Sequence, residues 1–485
     1  MSSPPSLPIY LFTFNCARLL ITPSILATHL FSALDPSSPP PEIIAIGLQE
    51  FAPISYSFLR GDYLSPYLDQ WSSVPHLAAQ YLHSTGTTNQ DIPFEYVELG
   101  RYTIGMTALF IYARRSERVK NLRFGSVGFG VWGMANKGAV AARFGYSTGD
   151  GGEEEEGDIN VTIVSTHLSA HEHCCTDRNR DWETLARGII FETTTQTAPV
   201  INITSSESTP LLSENITTTT TGSSSSPISG IYHPNSHLLV MGDLNYRTSH
   251  ISPTPEDFQS FPTRTDHFNE FFKRDQLTRE LTAGNTLHGL VEAPITFPPT
   301  YKYLEDVLSL LEDAEEGLGG GGSSSSSTRG DKRRKQSQED IFDWSPNRWP
   351  SWCDRILWLP LNPSSPSPPK EEEEGKNDIK VHRYTSIPAI RFSDHKPVGL
   401  HISLPRINMP KTVAGSEGGN NNRDLRLNPP FPLDRDWKVK RYNAETREWI
   451  VGYAILMATT ANGLTILGCV FVGAGMLWWG VTGRV

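Results

Sequence analysis

The chain has 485 residues, 42 Lys and Arg against 53 Asp and Glu, a formal net charge of −11 and 38% hydrophobic residues. That length buries a sizeable core, and the acidic balance excludes the broad basic face of a nucleic-acid binder, so no nucleic-acid partner is expected. Two EEEE runs, 153–156 and 371–374, stand in Gly- or Pro-flanked stretches; without those eight carboxylates about −3 remains, so the acidity belongs to solvated inserts.

The N-terminal MSSPPSLP has neither a positively charged start nor an apolar run, and no signal peptide is expected. Residues 9–14 (IYLFTF) read as a buried strand ending at Asn15, and 43–48 (IIAIGL) as another ending at Gln49 and Glu50. Stretches 96–99 and 107–113 read as neighbouring strands. The glycine-rich SVGFGVWGMANKG after them lacks the Walker spacing and is better read as a hairpin turn, with Lys137 a solvated turn lysine unless a site claims it. Residues 159–165 (INVTIVS) form a strand running into Thr166 and His167. Residues 177–195 place Trp182, Leu185, Ile189 and Ile190 on a helical stripe.

A Ser/Thr-rich stretch, 199–234, is too polar to order itself and reads as an insert. Next comes LLVMGDLNYR (238–247), a buried strand in which Gly242 permits a sharp turn that presents Asp243 and Asn245. Taken alone, Asp243 reads more readily as a turn cap than as a site group. Residues 265–283 read as one amphipathic helix with Phe268, Phe271, Phe272 and Leu277 inward. A Gly/Ser-rich insert with a basic KRRK (332–335) follows, its charges a solvated linker run ahead of a lipid contact or nuclear signal. Cys353, Asp354 and Arg355 precede the strand ILWLPL, and Ser393, Asp394 and His395 precede the strand 398–404.

In an antiparallel neighbour the start of one strand lies beside the end of the next, so six polar groups can share one rim. They supply Asn, Glu, His, Asp with Asn, Asp, and Asp with His. Five cysteines, Cys16, Cys174, Cys175, Cys353 and Cys469, show no metal-ligand spacing, and the adjacent pair reads as reduced thiols rather than redox chemistry. The sequons at Asn160, Asn202 and Asn215 are common chance patterns and are discounted. Carboxylate and amide oxygens without Cys pairs suit magnesium. With a carboxylate to accept a proton from water and histidines to donate to phosphate, the set suits metal-assisted phosphoester hydrolysis.

The segments TFNCARLL, IGLQE, MANKGAVAARF, STHLSAH with DRNRDW after it, GDLNYR, FPPTYKY, WPSWCDRILW and FSDHKPVG occur in the order seen in inositol polyphosphate 5-phosphatases, and the chain resembles that family over about residues 7–404. The resemblance implies the two-sheet α/β sandwich flanked by helices of the endonuclease/exonuclease/phosphatase superfamily, a DNase I-like fold. Carried over position by position, it implies that Glu50, with Asn15, holds Mg2+, that Asp243 activates water with Asn245 orienting, and that His167 and His395 grip the scissile phosphate. Asp354 would pair with His395, and Asp394 would support the metal and water network. Asn136, Lys137, Arg178 and Asn179 become candidates beside the pocket, although Arg180 interrupts the family pattern there. Tyr301 and Lys302 would hold a 4-phosphate. Family members commonly carry a lysine four residues before the proline of the WCDR motif; this chain has Pro346 and keeps Arg348, which leaves 4-phosphate preference open.

One catalytic domain, 7–405, with inserts near 149–157, 199–234, 313–340 and 362–377, is therefore expected, then a linker, 406–448, and a membrane anchor, 449–482. Residues 463–481 (GLTILGCVFVGAGMLWWGV) suffice to span a bilayer with Trp478 and Trp479 at the interface, and WIVGYAILMATTA before them either lengthens that helix or packs separately. Arg435, Lys438, Lys440, Arg441 and Arg447 outnumber Asp436 and Glu445 on the flank, which marks a cytosolic side. The reading is a tail-anchored phosphoinositide 5-phosphatase acting on phosphatidylinositol 4,5-bisphosphate, resembling fungal endoplasmic-reticulum forms of the family. A nuclease or phosphodiesterase of the same superfamily, and a membrane scaffold without turnover, are the alternatives.

Overall fold

The computed structural model describes residues 6–84, 95–148, 158–192, 228–304, 342–361, 378–407 and 424–482. The expected inserts 149–157, 313–340 and 362–377, both EEEE runs, KRRK and most of 199–234 lie outside the described residues.

Apolar runs with side chains buried on both faces need a cover on each side, and the chain supplies it by packing two sheets face to face with helices outside. Strands β1 (Ser6–Asn15), β2 (Ile43–Gln49), β3 (Val97–Ile104), β4 (Thr107–Ala113), β5 (Val119–Gly128), β6 (Gly138–Tyr146) and β7 (Ile159–His167) are followed by the short β8 (Phe191–Glu192) and β9 (Ile228–Ser229), then β10 (Ser236–Asp243), β11 (Asp354–Trp358), β12 (Lys380–Ser386) and β13 (Val398–Pro405). One sheet runs β12-β13-β1-β2-β4-β3 and the other β11-β10-β7-β6-β5. The alternation of side chains along each strand decides the layers: Ile9, Leu11, Ala45 and Leu109 meet Val140, Ile163, Leu239 and Met241 between the sheets.

The outward residues of the first sheet, Phe12, Phe14, Ile46 and Leu48, pack on Leu26 and Leu30 of the helix Pro23–Leu30 and on Trp71 and Val74 of the helix Ser65–Ser84. Those of the second, Ala141, Val164 and Val240, pack on Trp182 and Leu185 of the helix Cys175–Gly188. Full burial of side chains this size contributes about 1.5–3 kcal/mol each. Gly47 lets the layers close: a Cβ there would lie 2.8 Å from Met241 Cε and from Ser165 Oγ.

Four expectations change. Residues 265–283 are not one helix but the short helices Phe268–Phe272 and Gln276–Thr282, because Asp275 caps the second by accepting from Thr278 N–H. The stripe expected to 195 stops at Gly188; Ile189 and Ile190 stay buried in extended chain leading to β8. Residues 228–234 are structured, with β9 paired to β8 and Ile231 and Tyr232 buried. Gly242 does not turn the chain: the strand runs on to Asp243, and a Cβ at Gly242, whose φ is 153°, would lie 1.9 Å from Thr166 O in the adjacent strand.

Of the expected linker, residues 424–448 also fold, and 408–423 lie outside the described residues. Arg426 is buried, and the helix Trp437–Thr459 docks on the domain through Ala444, Glu448 and Gly452 before the separate helix Ala461–Thr482 begins. The basic flank is partly paired: Lys438 reaches Glu192 of the domain, while Lys440 pairs locally with Asp434 and Arg441 with Glu448 of the same helix. The stretch Ala461–Trp479, mean hydropathy 1.6, is long and apolar enough to cross a membrane.

Candidate active site

Strand register builds the site. β10 runs parallel to β7 and antiparallel to β11, so His167, Asp243 and Asp354 fall on one row, which continues to Gly138 of β6 beside Lys137. In the facing sheet Asn15 of β1 is level with Gln49 of β2, and Glu50 follows at φ 45°, in the left-handed region. Segment 393–395 enters against β1, fixed where Ser393 Oγ donates to Asn15 O at 2.7 Å and accepts from His395 N–H at 3.1 Å.

Of these, Asn15, Glu50, Lys137, His167, Asp243, Asp394 and His395 line a cavity of about 230 Å3 together with Ala17, Arg18, Ala170, Asn245, Arg247, Tyr301 and Lys302. Asp243 is its hub. Oδ2 accepts from Asn15 Nδ2 at 3.0 Å and lies 3.2 Å from His167 Nε2 and 3.9 Å from His395 Nε2. Oδ1 accepts from Asn245 N–H at 3.1 Å. One oxygen of Asp243 thus caps the following turn, and the other faces Asn15 and the two imidazoles. Burial alone would raise its pKa, but His395, His167 and Lys137 outweigh that and hold it well below the carboxylate range.

His395 donates from Nδ1 to Asp354 Oδ2 at 2.8 Å, and the same oxygen accepts from Thr300 Oγ1 at 2.7 Å. Burial depresses the imidazole, but Asp354 and Asp243 more than reverse this and push it up to about 9, so Nε2 is a charged donor at neutral pH. Burial likewise lifts Asp354 above its usual range. His167 is depressed by burial and by Lys137; its Nε2 lies between the Lys137 ammonium, in close contact, and the Asp243 carboxylate. Asp394 accepts from Lys302 at 2.6 Å, and Tyr301 packs its ring 4.5 Å from that of His395.

Asn15, Glu50, Lys137, His167, Asp243, Asn245, Tyr301, Lys302, Asp394 and His395 therefore share the cavity, with Asp354 directly behind His395. Arg178 and Asn179 do not: Arg178 is buried, donating to Ser169 O, His171 O and Gln276 Oε1, and Asn179 bridges Tyr246 and Glu280. Asn136 turns its Oδ1 toward Gly130 rather than into the cavity. Arg348 lies outside it, near Ser252 and Glu172. Two residues that the motif reading passed over belong. Arg247, the last residue of LLVMGDLNYR, is buried with its guanidinium 4.3 Å from the Tyr301 ring centre and no hydrogen-bond partner at Nη1 among the described residues. Arg18, in TFNCARLL, reaches Glu50 Oε2 at 3.1 Å. Their place inside two motifs was the available signal. A larger cavity, about 760 Å3, lies across the hairpin among Arg180, Arg187 and Trp437, away from this row of buried acids and imidazoles.

Asp243, Asp354 and His395 bring possible ligand atoms within 4.8 Å of one another. Asp354 Oδ2 and His395 Nδ1 are engaged with each other, and Oδ2 also with Thr300, so the side-chain oxygens lining the cavity are those of Glu50, Asp243 and Asp394, with Asn15 beside them. That donor set offers only oxygen, and cationic groups already gather at it, Arg18 at 3.1 Å and Lys137 at 3.9 Å from Glu50. It fits a hard divalent cation.

The family model for endonuclease/exonuclease/phosphatase family 2 matches residues 12–315 and 331–401. The chain is 24% identical over 364 residues to the type II inositol 1,4,5-trisphosphate 5-phosphatase of Mus musculus, covering 74% of this chain and 26% of that protein. It is 25% identical over 363 residues to a polyphosphatidylinositol phosphatase of Saccharomyces cerevisiae, covering 74% and 23%. The chain thus spans about a quarter of the length of these relatives. Among solved structures, the inositol polyphosphate 5-phosphatase domain of a synaptojanin, in complex with inositol (1,4)-bisphosphate and calcium, superposes with TM-score 0.52 at 20% identity, covering 91% of this chain and 90% of that one. The fold is the expected two-sheet α/β sandwich, and the chain belongs to endonuclease/exonuclease/phosphatase family 2.

Proposed function

We propose that this chain is a magnesium-dependent phosphoinositide 5-phosphatase, a phosphoric monoester hydrolase that removes the 5-phosphate of phosphatidylinositol 4,5-bisphosphate at a membrane surface. The observation that carries it is Asp243: a buried carboxylate within 3.9 Å of two imidazoles, in a cavity that also holds Lys137, Lys302 and Arg247. A site rich in both buried anions and cations suits an anionic substrate taken up with a cation.

Glu50 and Asn15 would hold Mg2+, which when bound neutralises phosphoryl charge and makes nearby water more acidic. The chain's own residues do the rest. Asp243, fixed by Asn15 and by the Asn245 amide, is oriented to accept the proton of the attacking water at Oδ2. His395 donates from Nε2 to a phosphate oxygen and is kept charged by Asp354, while Lys137 and Nη1 of Arg247, without a hydrogen-bond partner among the described residues, offer further donors. Lys302, steadied by Asp394, is placed for a second phosphate on the ring. The named relatives act on inositol phosphates and inositides, which supports this substrate class over a nucleic acid.

The helix Ala461–Thr482 serves as the membrane anchor: 22 residues at about 1.5 Å rise give about 33 Å, close to the hydrocarbon thickness. Tethering raises the effective concentration of a headgroup fixed in the same bilayer. The catalytic domain faces the cytosol, on the side of the basic flank; placement at the endoplasmic reticulum rests on the resemblance to fungal forms. The test is phosphate release by the full chain in detergent from a panel of inositides, soluble inositol phosphates and DNA, with magnesium and with chelator. Magnesium-dependent release from inositides is expected; cleavage of DNA alone would favour a nuclease, and no release from anything a scaffold.

A further inference from the structure

The docked helix Trp437–Thr459 holds the segments that flank the site, chiefly through one side chain. Glu448 is 1% exposed although it is a carboxylate. Its Oε1 accepts from Ala135 N–H at 2.8 Å and from Arg441 Nη1 at 2.8 Å; its Oε2 accepts from Arg441 Nη2 at 2.9 Å and, more loosely, from Arg60 Nη2 at 3.4 Å. Four donors converge on one buried acid.

Two of those donors, Ala135 N–H and Arg60, come from the two segments that carry the facing walls of the cavity, and Arg441 lies on the helix itself. Ala135 precedes Lys137 by two residues, in the stretch beyond the last rung of the β5–β6 ladder, Gly128 to Gly138. There the backbone has no strand partner, so the Ala135 amide takes its acceptor from a residue 313 positions away. Arg447 of the same helix donates to Trp132 O at 2.8 Å, a second hold on that loop. Arg60 closes the short helix Ile54–Leu59, which follows Glu50, and also reaches Glu445 at 3.2 Å. Gly452 brings the helix backbone against that segment: a Cβ there would lie 3.1 Å from Phe58 Cβ. The gap between the walls is the 3.9 Å from Lys137 Nζ to Glu50 Oε1.

We infer that Glu448 is a positioning residue for the reaction: by gripping Ala135 N–H and Arg60 together it sets Lys137 against Glu50 and His167, so the helix leading into the apolar span completes the active site. The inference rests on the proposed activity. It also means that a chain cut before residue 437 would hold every catalytic side chain and still be impaired.

The test uses the full chain in detergent with Glu448→Gln, Glu448→Ala, Arg447→Ala, Lys137→Ala and the Lys137→Ala, Glu448→Ala double variant. Glu448→Ala should raise amide exchange over 129–137 and lower kcat by about tenfold or more, since small misplacements of a catalytic group cost that much. Glu448→Gln, which keeps an acceptor for Ala135 N–H, should lose less. In the Lys137→Ala background, removing Glu448 should change kcat less than about twofold, because both act through one group. Losses that multiply in the double variant, or faster exchange with unchanged kcat, would overturn the inference. If Glu448→Ala does not fold, the exposed Arg447→Ala must show the same exchange and kcat pattern in milder form. Should the wild-type chain release no phosphate, the proposed activity is what has failed. The rate of amine acylation at Lys137 then decides positioning alone: faster in Glu448→Ala supports it, and unchanged refutes it.

Discussion

Asp354→Asn tests the charge logic of the site. Asp354 is fully buried and its Oδ2 accepts from both His395 and Thr300, so the asparagine keeps the shape and can keep a hydrogen bond while losing the charge. His395 is pushed up to about 9 from its ordinary 6.5 against the opposing pull of burial, and Asp354 is the largest of the groups that raise it. That rise corresponds to roughly 3 kcal/mol in favour of the imidazolium. A histidine raised in this way contributes stability that is full below about 6.5 and lost as pH rises through about 9, and donation to phosphate follows the same limb. With Asp354 neutral, burial acts on His395 opposed chiefly by Asp243, and its pKa should fall to about 6.5 or lower. At a pH of about 7.5 a tenth or less of His395 would then be charged, so kcat should fall about tenfold or more; at about pH 5.5 most of that loss should disappear. The assay is kcat against pH for both proteins at saturating substrate. An alkaline limb that stays near 9 in Asp354→Asn would refute the role given to this pair.

Glu42 lies far from the site, 6% exposed, and accepts from Arg115 at 2.8 and 2.7 Å and from Tyr146 at 2.8 Å. Burial raises its pKa, but Arg115 and Tyr146 outweigh that and hold it below 4.5; its contribution is therefore present above the ordinary carboxylate pKa and lost as pH falls through the depressed value. Glu42→Gln should cost about 2 kcal/mol in urea unfolding at neutral pH, a gap that narrows below about pH 4; a gap independent of pH would contradict this. Gly242→Ala puts a methyl 1.9 Å from Thr166 O and should cost more than about 3 kcal/mol or prevent folding, read as loss of soluble yield or of a two-state melt. Val470→Arg, on the exposed face of the apolar helix, should release the chain from phospholipid vesicles in flotation while phosphate release from soluble inositol phosphates persists; unchanged flotation would argue against a span.

The architecture was legible because strands buried on both faces read as unbroken apolar runs, and a polar group closing each run marks one rim. The same logic located His167, Asp243 and Asp354, which register then placed on a single row. What the sequence hid depends on partners distant in the chain. Arg178 and Asn179 sit in a motif beside the pocket, yet Gln276 and Glu280, about a hundred residues on, turn them into struts. Residues 265–283 carry one helical pattern, and only the Asp275 cap splits it. A polar, proline-rich approach to the apolar span reads as linker; Glu448 packs because Ala135 and Arg60 await it in the fold. Arg247 was visible in its motif, but its place in the cavity depends on its burial and on the Tyr301 ring beside it.

The most direct measurement is the regiochemistry of the product, by chromatography of the deacylated lipid after the full chain acts on phosphatidylinositol 4,5-bisphosphate vesicles with magnesium. The account predicts phosphatidylinositol 4-phosphate from the wild-type chain, and from a folded Asp243→Asn variant a rate lower by about 10² to 10⁴. Release of the 4-phosphate instead, or near-normal turnover by Asp243→Asn, would contradict it.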